Sequence, residues 1–161
     1  MGHSLGGRGL SKVFVHHLLP AGLDVSALGQ FVLLAPDIDQ EIFLHQYAPV
    51  LVAAGLDVSL YTSANDKAMA SARAVHGYPR AGDSAGGPLL YPGIETVDVT
   101  SANRSFLGHS YFDESEVVAR DLGLLLNTRE PAAQRLGVER VVTGHGVYWR
   151  LLPVERAELS P

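Results

Sequence analysis

The sequence predicts an α/β protein built on a parallel sheet of about three to four strands flanked by helices. Three observations carry that expectation. Strand-length runs recur along the chain, and residues 30–35 among them lack the in-out alternation of a half-exposed strand; a strand apolar throughout has both faces covered, as parallel strands do. Such runs alternate with helical segments, and right-handed crossovers wind that alternation into one sheet. The chain also opens on a glycine-rich turn, Met1-Gly2-His3-Ser4-Leu5-Gly6-Gly7, that leads straight into a helix.

Residues 5–19 read as the first helix, with Leu10, Val13, Phe14 and Leu18 on a broad apolar face and Pro20-Ala21-Gly22 as its stop. Its glycines Gly6, Gly7 and Gly9 weaken a helix and so suggest close packing against the sheet. The run 30–35 follows as a strand ending in the polar Asp37 and Asp39. Residues 41–54 form a second helix, with an irregularity expected at Pro49 and an end at Gly55. Residues 56–62 give the next strand, closed by Ser63-Ala64-Asn65-Asp66, and residues 67–76 a short helix. Glycine and proline make 77–93 a long loop; 94–99 is a third strand and 114–126 a helix. Beyond it, 131–136 suits a helical turn, and 139–143 or 147–152 suit short strands.

The totals narrow the function classes. A chain of 161 residues, 47% hydrophobic, has enough apolar material for one sizeable core. A net charge of −5 with no basic run makes nucleic acid an unsuitable partner. The absence of cysteine removes disulfides and thiolate chemistry. No apolar stretch reaches the length of a membrane span and no secretory signal opens the chain, so the compartment is left undefined.

Chemistry concentrates at the opening turn. Gly2-His3-Ser4-Leu5-Gly6 fits G-x-S-x-G, in which a strand turns sharply into a helix and exposes a serine hydroxyl at the apex. Glycines two before and two after the serine are expected where strand and helix cross too closely for side chains. The Leu5 N–H points to where an oxyanion would develop, making it the expected oxyanion-hole donor. A serine nucleophile needs a base and an acid that orients the base. In chain order Ser4, Asp66 and His109 supply these, each at the carboxyl end of a strand. Asp37 is the alternative acid, one crossover earlier; helix capping is the plain role for either aspartate. His145, between Gly144 and Gly146, is the rival base, although it lies in the tail. No histidine pair has metal-ligand spacing, and the glycine-rich start lacks the lysine of a phosphate loop, so neither a metal site nor a phosphate loop is read from the residues.

With these segments placed, the sequence resembles the alpha/beta-hydrolase superfamily, and within it a bacterial group known as alpha/beta hydrolases of unknown function (domain of unknown function 900). Besides the opening turn, the resemblance is carried by Leu34-Ala35-Pro36-Asp37-Ile38-Asp39, Leu60-Tyr61-Thr62-Ser63-Ala64-Asn65-Asp66, Pro79-Arg80-Ala81-Gly82-Asp83 and Phe106-Leu107-Gly108-His109-Ser110-Tyr111. It implies a serine hydrolase acting on a small-molecule ester or amide, with Ser4 as nucleophile, Asp66 as acid and His109 as base, and with no cofactor and no metal needed. It also implies that residues 1–126 are the C-terminal part of the hydrolase domain, beginning at the elbow with the N-terminal strands missing, and that 127–161 are a tail of undefined structure. A truncated chain would have an incomplete oxyanion hole and an unpaired sheet edge open to self-association. The alternative is a non-catalytic remnant or binding module on a hydrolase fold.

Overall fold

A computed structural model describes residues 1–102 and 115–153. The chain begins in a short strand, β1 (Gly2–His3), which turns without a linker into α1 (Ser4–Val13). A π turn over Phe14–Leu18 extends α1 to the glycine stop, where Gly22 takes a left-handed φ of 82°. The covered apolar run becomes β2 (Phe31–Leu34).

The second helix comes in three pieces: α2 (Gln40–Ile42), a π turn (Phe43–Tyr47) and α3 (Ala48–Ala53). The irregularity expected at Pro49 is this π turn. Proline has no N–H and its ring collides with the carbonyl four residues back, so the widened turn just before it relieves the clash. Next come β3 (Val58–Thr62), α4 (Lys67–His76), β4 (Ile94–Asp98) and α5 (Glu116–Thr128). Asp39, Asp66 and Ser115 cap α2, α4 and α5 by accepting from first-turn N–H groups.

Two further strands, β5 (Val138–Thr143) and β6 (Gly146–Leu151), complete a sheet of six in the order β1-β2-β3-β4-β6-β5, larger than the three to four expected. β5 and β6 fall on the two stretches that suited short strands and form an antiparallel hairpin whose second strand lies parallel to β4, while β1, which leads into the serine, was not expected within the chain. A buried ionic network fastens this tail to the sheet. Arg135 Nε donates to Asp121 Oδ1 at 2.8 Å and Nη1 to Glu95 Oε1 at 2.7 Å, while the Tyr61 hydroxyl donates to Asp121 Oδ2 at 2.6 Å. β3, β4, α5 and the tail thus share one set of charges.

Alternate residues of β2 and β3 build two cores. Phe31, Leu33, Val58 and Leu60 pack against Val15, Phe43 and Leu51 on the side of α1 and α3. Val32, Leu34 and Tyr61 pack against Met69, Val118 and Leu125 on the side of α5. This two-sided burial fixes the register His3–Leu34–Tyr61–Val97 across four strands and brings their outgoing loops to one edge. Among the described residues, no helix is long and apolar enough to cross a membrane.

Candidate functional site

At the β1–α1 junction Ser4 has φ 53°, a left-handed conformation that costs an L-residue roughly 1–2 kcal/mol. Close packing around the turn and one backbone hydrogen bond hold it there. A Cβ on Gly2 would lie 2.8 Å from Gly7 Cα, and one on Gly7 would lie 3.2 Å from both Gly2 O and Pro36 Cβ. The Ser4 carbonyl accepts from the Asp37 N–H at 3.2 Å. The glycine that strand–helix contact requires after the serine is therefore Gly7. At Gly6, where the motif led us to expect a collision, a Cβ would have no atom within 4 Å. Leu5 is the second residue of α1, so its N–H belongs to the first turn, whose donors have no partner within the helix.

The loops after β2 and β3 are joined by residues 79–84, threaded between them. Gly82 N donates to Pro36 O and its carbonyl accepts from Ser63 N. The approach is so close that a Cβ on Gly82 would lie 2.5 Å from the Ala35 carbonyl carbon, and Ala35 itself takes φ 39°. Asp37 pairs with the buried Arg80 guanidinium, Nε to Oδ1, at 3.1 Å. Asp66 is 2% exposed, and its Oδ1 accepts from the N–H groups of Ala68 at 2.9 Å and Met69 at 3.0 Å.

Ser4, Asp37 and Asp66 all follow strands that share one register level, so they emerge at the same sheet edge. His109 lies outside the described residues. His145 occupies the β5–β6 turn, four residues before Trp149, the partner of Val97. His145 lines a cavity with Gln40, Leu44 and Tyr148.

Sequence reasoning passed over a third aspartate at this edge. Asp98 ends β4, is 9% exposed, and accepts from the Ser84 hydroxyl at 3.0 Å and the Thr100 N–H at 3.2 Å. The rule that singled out Asp37 and Asp66, a polar residue closing an apolar strand, applies equally to Asp98. Thr100 Oγ1 in turn accepts from Ala64 N at 2.9 Å, tying the β4 exit to the loop that carries Asp66. Among the described residues, no three histidine, aspartate or glutamate side chains are grouped to hold a metal ion.

A mostly parallel sheet in which a strand turns directly into a helix at a strained serine suits an alpha/beta hydrolase. The family model described as alpha/beta hydrolase of unknown function (DUF900) matches residues 1–129, and the chain belongs to that family. No curated protein and no solved structure matches the chain.

Proposed function

We propose that the chain carries the reacting groups of a serine hydrolase that cleaves an ester or amide through an acyl-enzyme. The observation that carries this reading is Ser4 at φ 53° on a junction where Gly2 and Gly7 are in backbone contact. Strain of this kind persists only where the surroundings enforce it, and it clusters where function needs a group held out of its relaxed position.

In the proposed cycle His109 takes the Ser4 hydroxyl proton as the oxygen attacks the carbonyl carbon. The Leu5 N–H donates to the resulting oxyanion. His109 then protonates the leaving alcohol or amine, which departs and leaves Ser4 acylated. Water, giving its proton to His109, attacks the acyl group; collapse releases the acid and returns the proton to Ser4. Asp66 orients His109 and stabilises its cationic form. Supporting Asp66 over Asp37 in that role is its place after the later strand, where the acid of a Ser, acid, His chain order falls.

The test is labelling of the purified chain with a fluorophosphonate, beside Ser4→Ala and His109→Ala. Labelling lost in both variants is the expected result. A chain that is folded by circular dichroism yet unlabelled would overturn the proposal and favour a non-catalytic binding module.

A further inference from the structure

A cleft of about 330 Å³ lies between α1 and the helix over 40–53, lined by Arg8, Lys12, Arg80, Asp39, Tyr47 and Tyr78 among others. Three cations face one carboxylate there, in a chain whose net charge is −5. The carboxylates nearby are already engaged. Asp39 Oδ1 accepts from the N–H groups of Glu41 and Ile42, Asp37 pairs with Arg80, and Glu41 pairs with His45 at 3.2 Å. Arg8 and Lys12 stand at i and i+4 on one face of α1, both exposed, and among the described residues neither has an ion-pair partner. Like charges at that spacing repel and weaken a helix, so helix stability gives no reason for them.

The cleft is also coupled to the serine. Arg80, on its wall, pairs with Asp37, whose N–H holds the Ser4 carbonyl. Along α1, Arg8 and Lys12 lie about 6 Å and 12 Å beyond Ser4 at a rise of ~1.5 Å per residue.

We propose that this cleft is an oxyanion subsite, which holds a carboxylate or phosphate group carried by the substrate at a distance from the bond cleaved at Ser4. It rests on the hydrolase reading of Ser4 and adds a substrate class to it: esters or amides with an anionic tail. Arg8 and Lys12 supply charge-assisted donors to either anion, and the Tyr47 and Tyr78 hydroxyls are neutral donors on the same wall. Arg80 stays with Asp37, so among the described residues Arg8 and Lys12 carry the unpaired positive charge of the cleft.

The experiment compares p-nitrophenyl hexanoate with the p-nitrophenyl hemiester of adipate and with p-nitrophenyl 6-phosphooxyhexanoate. It uses the wild-type chain and an Arg8→Gln/Lys12→Gln double variant, both checked for folding by circular dichroism. The readout is the ratio of kcat/KM for each charged ester over the neutral one. A wild-type preference of about tenfold, the size of one charge-assisted contact, is expected at low salt, and collapses in the double variant. It also fades as salt is raised to about 0.1 M and beyond, where exposed charges are screened within ~10 Å. Whichever charged ester gains more identifies the anion. An equal ratio in wild type and variant overturns the proposal.

A second arm titrates adipate and inorganic phosphate against both proteins by calorimetry, independently of turnover. Binding to wild type and not to the variant, with no ester hydrolysed, upholds the subsite and removes the hydrolase reading. Hydrolysis with no such difference in binding or ratio removes the subsite and leaves the hydrolase.

Discussion

Gly6 offers the sharpest test of how the opening turn is built. It stands two residues after Ser4, where the serine motif calls for a glycine, yet a side chain there would have open space, with no atom within 4 Å. It is also the third residue of α1, where glycine gives up conformational entropy that alanine does not. Gly6→Ala should therefore stabilise the chain by about 0.5–1 kcal/mol, nearer the lower figure in a first turn. For a chain of this size ~1 kcal/mol moves Tm by about 2–4 °C, so the expected rise is about 1–4 °C.

Gly2→Ala should do the reverse. Its Cβ would lie 2.8 Å from Gly7 Cα, 3.0 Å from Gly7 N and 3.1 Å from Gly6 O, all backbone atoms that cannot swing aside. Overpacking of this kind costs about 1–3 kcal/mol, a fall in Tm of roughly 2–12 °C. Thermal melts and urea titrations followed by circular dichroism measure both, with an unchanged urea slope confirming that stability is what moved. If Gly6→Ala lost as much stability as Gly2→Ala, the assignment of the close contact to Gly7 would be refuted.

Further expectations follow from neighbouring features. Ser4→Gly should be about 0.5–1 kcal/mol more stable than Ser4→Ala in the same melts, because glycine removes the left-handed strain that alanine retains, less its own greater unfolded-state entropy; equal stabilities would mean that the φ of 53° is not strained. Gly82→Ala places a Cβ 2.5–2.7 Å from Ala35 and Pro36 backbone atoms, whereas Gly86 has nothing within 4 Å. The first should lose about 3 kcal/mol and the fluorophosphonate labelling with it, and the second should change stability by less than about 0.5 kcal/mol. Burial, then the charge of Asp121, pushes the Tyr61 hydroxyl above its ordinary 10.0. Above about pH 10 the unfolded chain loses a proton that the folded chain keeps, so this contribution is complete below that pH and is lost as pH rises. Urea unfolding at about pH 8 and pH 10.5 should show a drop in wild type that Tyr61→Phe reduces.

Much of the fold was legible because parallel strands carry a strong local signal. The run at 30–35 has no polar face to expose, and that alone requires cover on both sides. The Asp66 cap was readable too, since an aspartate before a helical segment acts on N–H groups two or three residues away, whereas the next helix back is capped by Asp39 and not by Asp37, which pairs with Arg80 instead. The tail's two stretches suited short strands, but their pairing into a hairpin and their place in the sheet were not legible. Val138–Thr143 is largely exposed, so no buried period marks it as part of the sheet. It is fastened there by Arg135, Asp121, Glu95 and Tyr61, whose pairings span up to 60 residues of chain.

The candidate site divides in the same way. Glycine spacing around Ser4, and polar residues at the ends of apolar runs, pointed to one sheet edge, because strand direction alone sends those loops to the same side. Sequence could not say that Gly7, rather than Gly6, touches the strand, since the two adjoin and only the angle of α1 over Gly2 and Pro36 separates them. Nor could it give Asp37 to Arg80, seat Gly82 against Ala35, or gather Arg8, Lys12 and Arg80 on one cleft. Period and spacing govern what a residue does with its own neighbours in the chain. Which side chains meet across the sheet is decided by how distant elements pack, and only the tertiary structure contains that.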